Sequence, residues 1–258
     1  MENNSASLPS PPSPTPLRPS GFNLWASLAF LLGAVAIALG ALFAFLIFAV
    51  FTGEIDIHQR RIGPMAEMVG TIVMYVPLGA YLLIGLPLLA RRSLRELGMR
   101  VPGWREIGIG LFGALLMTLA VNLSGAAIIA VTHRHDTEAA IALLAQLKTP
   151  LEQATFIAIA ALFAPLVEEL GFRVFLFNAF ARYAPVWLAA VLSGVIFGLA
   201  HFGLTPWQLL TVGVPLTCGG IVLALVYRWS RCYWSNVITH ATFNALPLTL
   251  FFVFHVKP

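Results

Sequence analysis

The sequence predicts an all-α fold, a polytopic bundle of about seven to eight membrane-crossing helices. Three observations carry that prediction. The 258 residues are 59% apolar and only 10% charged, whereas an ordinary soluble domain is about 25% charged. Seven apolar runs approach or exceed the roughly 20 residues that cross a bilayer as helix. All six tryptophans stand at or just outside the end of a run, where an indole favours the headgroup layer.

The elements follow in chain order. Residues 1–22 are rich in proline and serine and read as a disordered, partly extended tail. Residues 23–132 hold the first three apolar runs, Leu24–Phe51, Met68–Ala90 and Ile107–Val131. Residues 133–153 read as a loop followed by an amphipathic helix at the membrane surface. His133 and His135 there have no further ligand nearby in sequence and are read as solvated loop residues. Residues 154–255 form the last part, with runs Ala154–Ala181, Val186–Phe202, Gln208–Tyr227 and Ser235–Phe254. The first of these four is long for one span and must tilt, break near Pro165 or begin in the interface.

Charge sets the orientation. The net charge of +4 gathers in short loops, above all 91-RRSLRELGMRVPGWR-105, which the positive-inside rule assigns to the cytoplasm. Alternation then brings the N-terminus, Arg182 and the Arg228/Arg231 turn to the same side. The distribution fits membrane lipid as the partner and excludes nucleic acid. Cys218 and Cys232 show neither metal nor disulfide spacing. No cleavable signal, nucleotide-binding glycine loop or zinc-protease helix signature is present.

Ionisable residues at membrane depth are rare and are read as functional. Three clusters interrupt the last four runs: 168-EELGFR-173, 197-FGLAH-201 and 240-HATFN-244. Glu169 and Arg173 are four apart, on one helical face, in the favourable acid-before-base order. Glu168 lies about 100° round the helix from Glu169, so it is left without its own cation. A buried carboxylate of that kind is expected to hold its proton more tightly than usual and to exchange it near neutral pH. The chain turns at about 183–185, ahead of a proline, and Glu168 and His201 lie about equally far on either side. Two antiparallel helices joined there bring them to one depth as a carboxylate–imidazole pair. His240 and Asn244, again four apart, can both donate to developing negative charge. Helix–helix hydrogen bonding is the competing reading for each. Depth counts against His240, because Trp234 six residues earlier marks a membrane face and leaves a gap of order 10 Å at 1.5 Å per residue.

Glu168-Glu169-x-x-x-Arg173, Phe197-x-x-x-His201 and His240-x-x-x-Asn244, in this order on successive apolar helices, resemble the motifs of the CAAX protease and bacteriocin-processing family, also called Abi. That family includes the type II CAAX prenyl proteases, which are intramembrane endopeptidases. The resemblance covers about residues 150 to 250. It implies that Glu168 and His201 activate a water, that His240 and Asn244 stabilise the oxyanion, and that Glu169, Arg173 and Phe197 are support. It implies a peptide or lipidated protein substrate, such as a prenylated CAAX terminus. Gly171 departs from the bulky apolar residue the family often has there.

Glutamate with two histidines can hold zinc in principle. The depth mismatch at His240 favours instead a mechanism that requires no cofactor. A proton-coupled transporter would use the same groups as a relay, but inverted repeats are missing. A non-catalytic scaffold or immunity protein of the same fold would not need the Glu168 carboxylate. In a prokaryotic cell the expected location is the plasma membrane.

Overall fold

A computed structural model describes residues 21–53, 55–56, 61–134, 143–144, 146–201 and 205–254. The Pro/Ser-rich tail, His135 and most of the expected surface helix lie outside the described residues. All seven apolar runs are helices: α1 (Leu24–Phe51), α2 (Pro64–Ala90), α3 (Trp104–Thr132), α4 (Pro150–Ala181), α5 (Val186–His201), α6 (Pro206–Ser230) and α7 (Tyr233–Phe254). A two-residue antiparallel ladder, β1 (Ile55–Asp56) with β2 (Arg61–Ile62), departs from the all-helical expectation. By length and composition α1, α2, α3, α4 and α6 can each cross a membrane. Helix α5 has 16 residues, short of a full span, and α7 is long enough but threaded with polar groups. The expected seven to eight spans therefore reduce to five on this criterion.

The molecule is an integral, multi-pass membrane protein, and its outer surface suits that solvent. Leu32, Phe43, Leu88 and Leu123 are all more than 60% exposed, on faces that only lipid can cover without penalty. The core lies where α2, α4, α6 and α7 meet, around Leu82, Leu86, Val174, Phe175, Ala224 and Tyr233. Asn23 caps α1 by accepting from the Ala26 N–H at 2.7 Å, and Phe22 just before it is fully buried. Five tryptophans are exposed at helix ends; Trp234 is the exception, half-buried against the core and set edge-on to Tyr233. His133 ends α3 in the left-handed conformation, and both cysteines are free thiols.

Helix α4 begins at Pro150, inside the stretch expected to lie on the membrane surface. The reason is a capping box: the Thr149 hydroxyl accepts from Glu152 N–H, and the Glu152 carboxylate accepts from Thr149 N–H at 2.9 Å. At 32 residues the helix runs about 48 Å at 1.5 Å per residue, longer than the hydrocarbon core. It neither stops nor breaks at Pro165. Residues Ile159–Phe163 form a π-helical turn, with the Ala164 N–H bonding five residues back to Ile159. A proline inside an α-helix collides with the carbonyl four residues before it, and the wider turn removes that collision. Helix α6 repeats the solution, with a π turn at Leu209–Gly213 immediately before Pro215. A second π segment in α4, Leu170–Phe177, leaves Glu168 and Glu169 on a short α turn between two wide ones.

Polar contacts hold α7 in place. Ser235 donates to the Glu106 carbonyl at 2.9 Å and Thr239 to the Gly110 carbonyl at 2.8 Å, the small-residue, hydrogen-bonded packing usual between membrane helices. Helices α5 and α6 meet through Gly198, where an added Cβ would fall 2.3 Å from the Gly213 carbonyl oxygen.

Candidate active site

Three helices bring the sequence-predicted residues together. Glu168 and Glu169, at most 9% exposed, come from α4, with Arg173 one turn on and fully buried. His201 is the last residue of α5, and His240 lies two turns into α7. Glu168 Oε2 faces His201 Nε2 at 3.6 Å and His240 Nε2 at 3.8 Å. The depth gap expected at His240 does not exist, because α7 does not start at the membrane face. Tyr233, its first residue, is buried, and its hydroxyl donates to the Leu166 carbonyl at 2.6 Å, two residues before Glu168. Trp234 is thus a poor depth marker, and depth does not count against zinc at Glu168, His201 and His240.

The two acids divide their work differently from the simple expectation. Glu169 pairs with Arg173 at 3.3 Å, as the spacing predicts. It also accepts from His240 Nδ1 at 2.8 Å and from Asn236 Nδ2 at 3.0 Å. Glu168 is not unpartnered: besides the two imidazoles, it accepts a hydrogen bond from the Tyr75 hydroxyl of α2. The premise of a carboxylate with nothing to balance it is wrong, and the high proton affinity inferred from it loses its basis. Oε1 meets the phenol, whereas Oε2 is buried, has no direct hydrogen bond and points between the two Nε2 atoms.

Ring orientation follows from the partners. His201 Nδ1 lies 2.8 Å from the Phe197 carbonyl oxygen, which can only accept, so Nδ1 carries the proton. His240 Nδ1 is fixed in the same way by the Glu169 carboxylate. Both Nε2 atoms are then lone pairs when the rings are neutral and donors when they are charged. Phe197 packs under all of this: its ring lies 4.4 Å from the His201 ring and 5.6 Å from the His240 ring, and the Arg173 guanidinium stands 4.5 Å over it. Arg173 also donates to the Gly220 carbonyl at 3.2 Å, tying α4 to α6.

Asn244 is the member least engaged with the acids. One of its amide N–H groups donates to the Ala160 carbonyl at 2.8 Å, in the first π turn of α4. At Gly171 an added Cβ would meet only Leu82, at 3.7 Å, so the departure from the bulky family residue leaves ordinary room. Among the described residues no group of three or more His, Cys, Asp or Glu is arranged to hold a metal ion.

Two residues were missed from the sequence. Asn236 had a signal, since 236, 240 and 244 repeat every four residues and extend the polar face of α7 by a turn. Tyr75 had a weaker one: a hydroxyl in the middle of an apolar run must find a partner, whereas an interfacial tyrosine would stand at the run's end.

The fold and cluster define a class: a helical membrane protein with two acids and two imidazoles meeting inside the bundle. Residues 150–246 match the sequence model of the type II CAAX prenyl endopeptidase, Rce1-like family, and the chain is similar to that family over this stretch. The match contains all three motifs and begins at the first residue of α4. No curated protein and no solved structure matches the chain.

Proposed function

We propose that the protein is an intramembrane endopeptidase in which Glu168 activates a water for attack on a peptide carbonyl. The observation that carries this reading is Glu168 Oε2 facing two imidazole Nε2 atoms at 3.6 and 3.8 Å. Those separations are too long for direct hydrogen bonds and suit a bridging water or substrate oxygen. As the water oxygen bonds to the carbonyl carbon, its proton passes to Glu168, with His201 Nε2 orienting the water. The oxyanion receives hydrogen bonds from His240 Nε2, when that ring is protonated, and from the second amide N–H of Asn244. Glu169 supplies the counter-charge behind His240. The C–N bond then breaks as Glu168 returns its proton to the leaving amine, restoring the carboxylate. General acid–base catalysis contributes about 10²–10⁴-fold, and each oxyanion donor about 10²–10³-fold.

The carboxylate supplies the base, so the scheme requires no metal. The substrate is a membrane-associated peptide or lipidated protein, and a prenylated CAAX terminus is the form the family description favours. All seven helices cross or enter the bilayer, α5 with Trp187, Leu192, Val195 and Leu199 exposed to it; in a prokaryotic cell this is the plasma membrane.

The test is cleavage by the purified full chain in detergent, on prenylated and unprenylated CAAX peptides, with and without a zinc chelator. Cleavage that survives the chelator and is lost in Glu168→Gln supports the scheme. Cleavage lost with chelator and restored by zinc refutes its metal-free form.

A further inference from the structure

At the end of the bundle where α2, α4 and α6 terminate, the protein encloses a cavity of about 550 Å³ that plays no part in the chemistry above. Its rim carries Arg92 from the α2–α3 loop, Arg182 after α4, and Arg228 and Arg231 from the end of α6, with Glu96 as its one carboxylate. These arginines come from three separate stretches of chain, and each belongs to the cation-rich loops that face the cytoplasm by the positive-inside rule. Among the described residues Arg92, Arg228 and Arg231 form no ion pair; the ion pairs on this side of the protein are made by Arg100 and Arg105 with Glu106.

Charge accounting decides the sign. The Ser93 N–H and hydroxyl, at 2.8 and 2.7 Å, hold the Glu96 carboxyl below its usual range, so it counts as a full negative charge. The three helix C-termini add about −0.5 each. Arg92, Arg228 and Arg231, with about +0.5 from the N-terminus of α5 beside the cavity, leave about +1 against these, on a concave site. Its lining also carries the apolar side chains of Phe22, Phe177 and Val186. A cationic rim beside apolar side chains at a membrane face matches one ligand chemistry, a phosphate ester attached to a hydrocarbon chain.

We infer that this cavity binds the phosphate of an anionic phospholipid headgroup from the cytoplasmic leaflet. Guanidinium groups suit phosphate because they donate in a planar fork. Each arginine near an anionic membrane surface adds roughly fivefold in affinity.

The experiment titrates the full-length protein in detergent with phosphatidylglycerol, phosphatidylcholine or inorganic phosphate. It follows the thermal midpoint and counts retained lipid by native mass spectrometry. The expected result is a rise in midpoint and one retained lipid with phosphatidylglycerol, and neither with phosphatidylcholine. Arg92→Gln/Arg228→Gln should weaken that affinity about 25-fold, at roughly fivefold per arginine, while Arg105→Gln, whose side chain is 70% exposed outside the cavity, should leave it unchanged. A comparable rise with inorganic phosphate alone supports the phosphate site and assigns it to a soluble ligand. Equal stabilisation by phosphatidylcholine, or an unaltered response in the double variant, overturns the inference. None of these readouts depends on peptidase activity.

Discussion

Glu168 and Glu169 are neighbours in sequence with opposite duties, and substitution separates them. Glu168→Gln keeps an acceptor for Tyr75 but cannot take a proton from water. Its expected effect is a fall in cleavage of at least about 10²-fold with the thermal midpoint close to wild type, read by peptide cleavage and melting in detergent. Glu169→Gln instead strands Arg173, which is fully buried. Removing one partner of a buried pair costs about 3–5 kcal/mol, so this variant should melt well below wild type. Adding Arg173→Met should restore part of the loss, because the guanidinium left stranded is then gone; no recovery would deny the pair its structural role. The acid–imidazole pairing of Glu168 with His201 was legible from motif spacing and the turn at 183–185. The burial of Tyr233 and Trp234 was not, because hydropathy does not say whether a run's first aromatic ring faces lipid headgroups or protein.

Helices place these residues, and close packing makes that placement fragile. Gly198 lies one turn before His201 in α5, with Thr217 Oγ1 and the Gly213 carbonyl oxygen of α6 where a Cβ would go. Gly198→Val must push α5 away and carry His201 with it. Misplacement by about 1 Å can cost about 10²-fold in rate, so cleavage should fall by that order. Gly40→Ala, in open space on α1, serves as the neutral comparison in the same assay. The seven helices were readable from apolar runs, five of them with ends within a few residues. The π turns were not, since a proline in a span signals a disturbance of the hydrogen-bond ladder without saying whether the helix will kink, stop or widen. Thr149-Pro150-x-Glu152 was a legible helix start that the amphipathic reading of 133–153 concealed.

The whole molecule is polar in sidedness. Arg92, Arg182, Arg228 and Arg231 converge on one cavity, while His201 ends a helix that begins beside that cavity at Val186 and runs about 22 Å away from it at 1.5 Å per residue. The acid–imidazole cluster is therefore nearer the opposite face. Cysteine introduced at Tyr183, which is 60% exposed, should react with a membrane-impermeant maleimide only from the cytoplasmic side. Cysteine at Trp207 should react only from the other side, and labelling of both from one side would refute the orientation. The order of synthesis adds a consequence. Glu169 enters the membrane 71 residues ahead of His240, an interval of about 4–14 s at translation rates of 5–20 residues per second. During that interval α4 carries two carboxylates and an arginine without the last helix that completes their contacts. Glu169–Arg173 is the one neutralising contact available within α4 itself, so the pair is expected to lower the cost of inserting that helix before α7 arrives. The acid–imidazole cluster is therefore incomplete until α7 has joined the bundle.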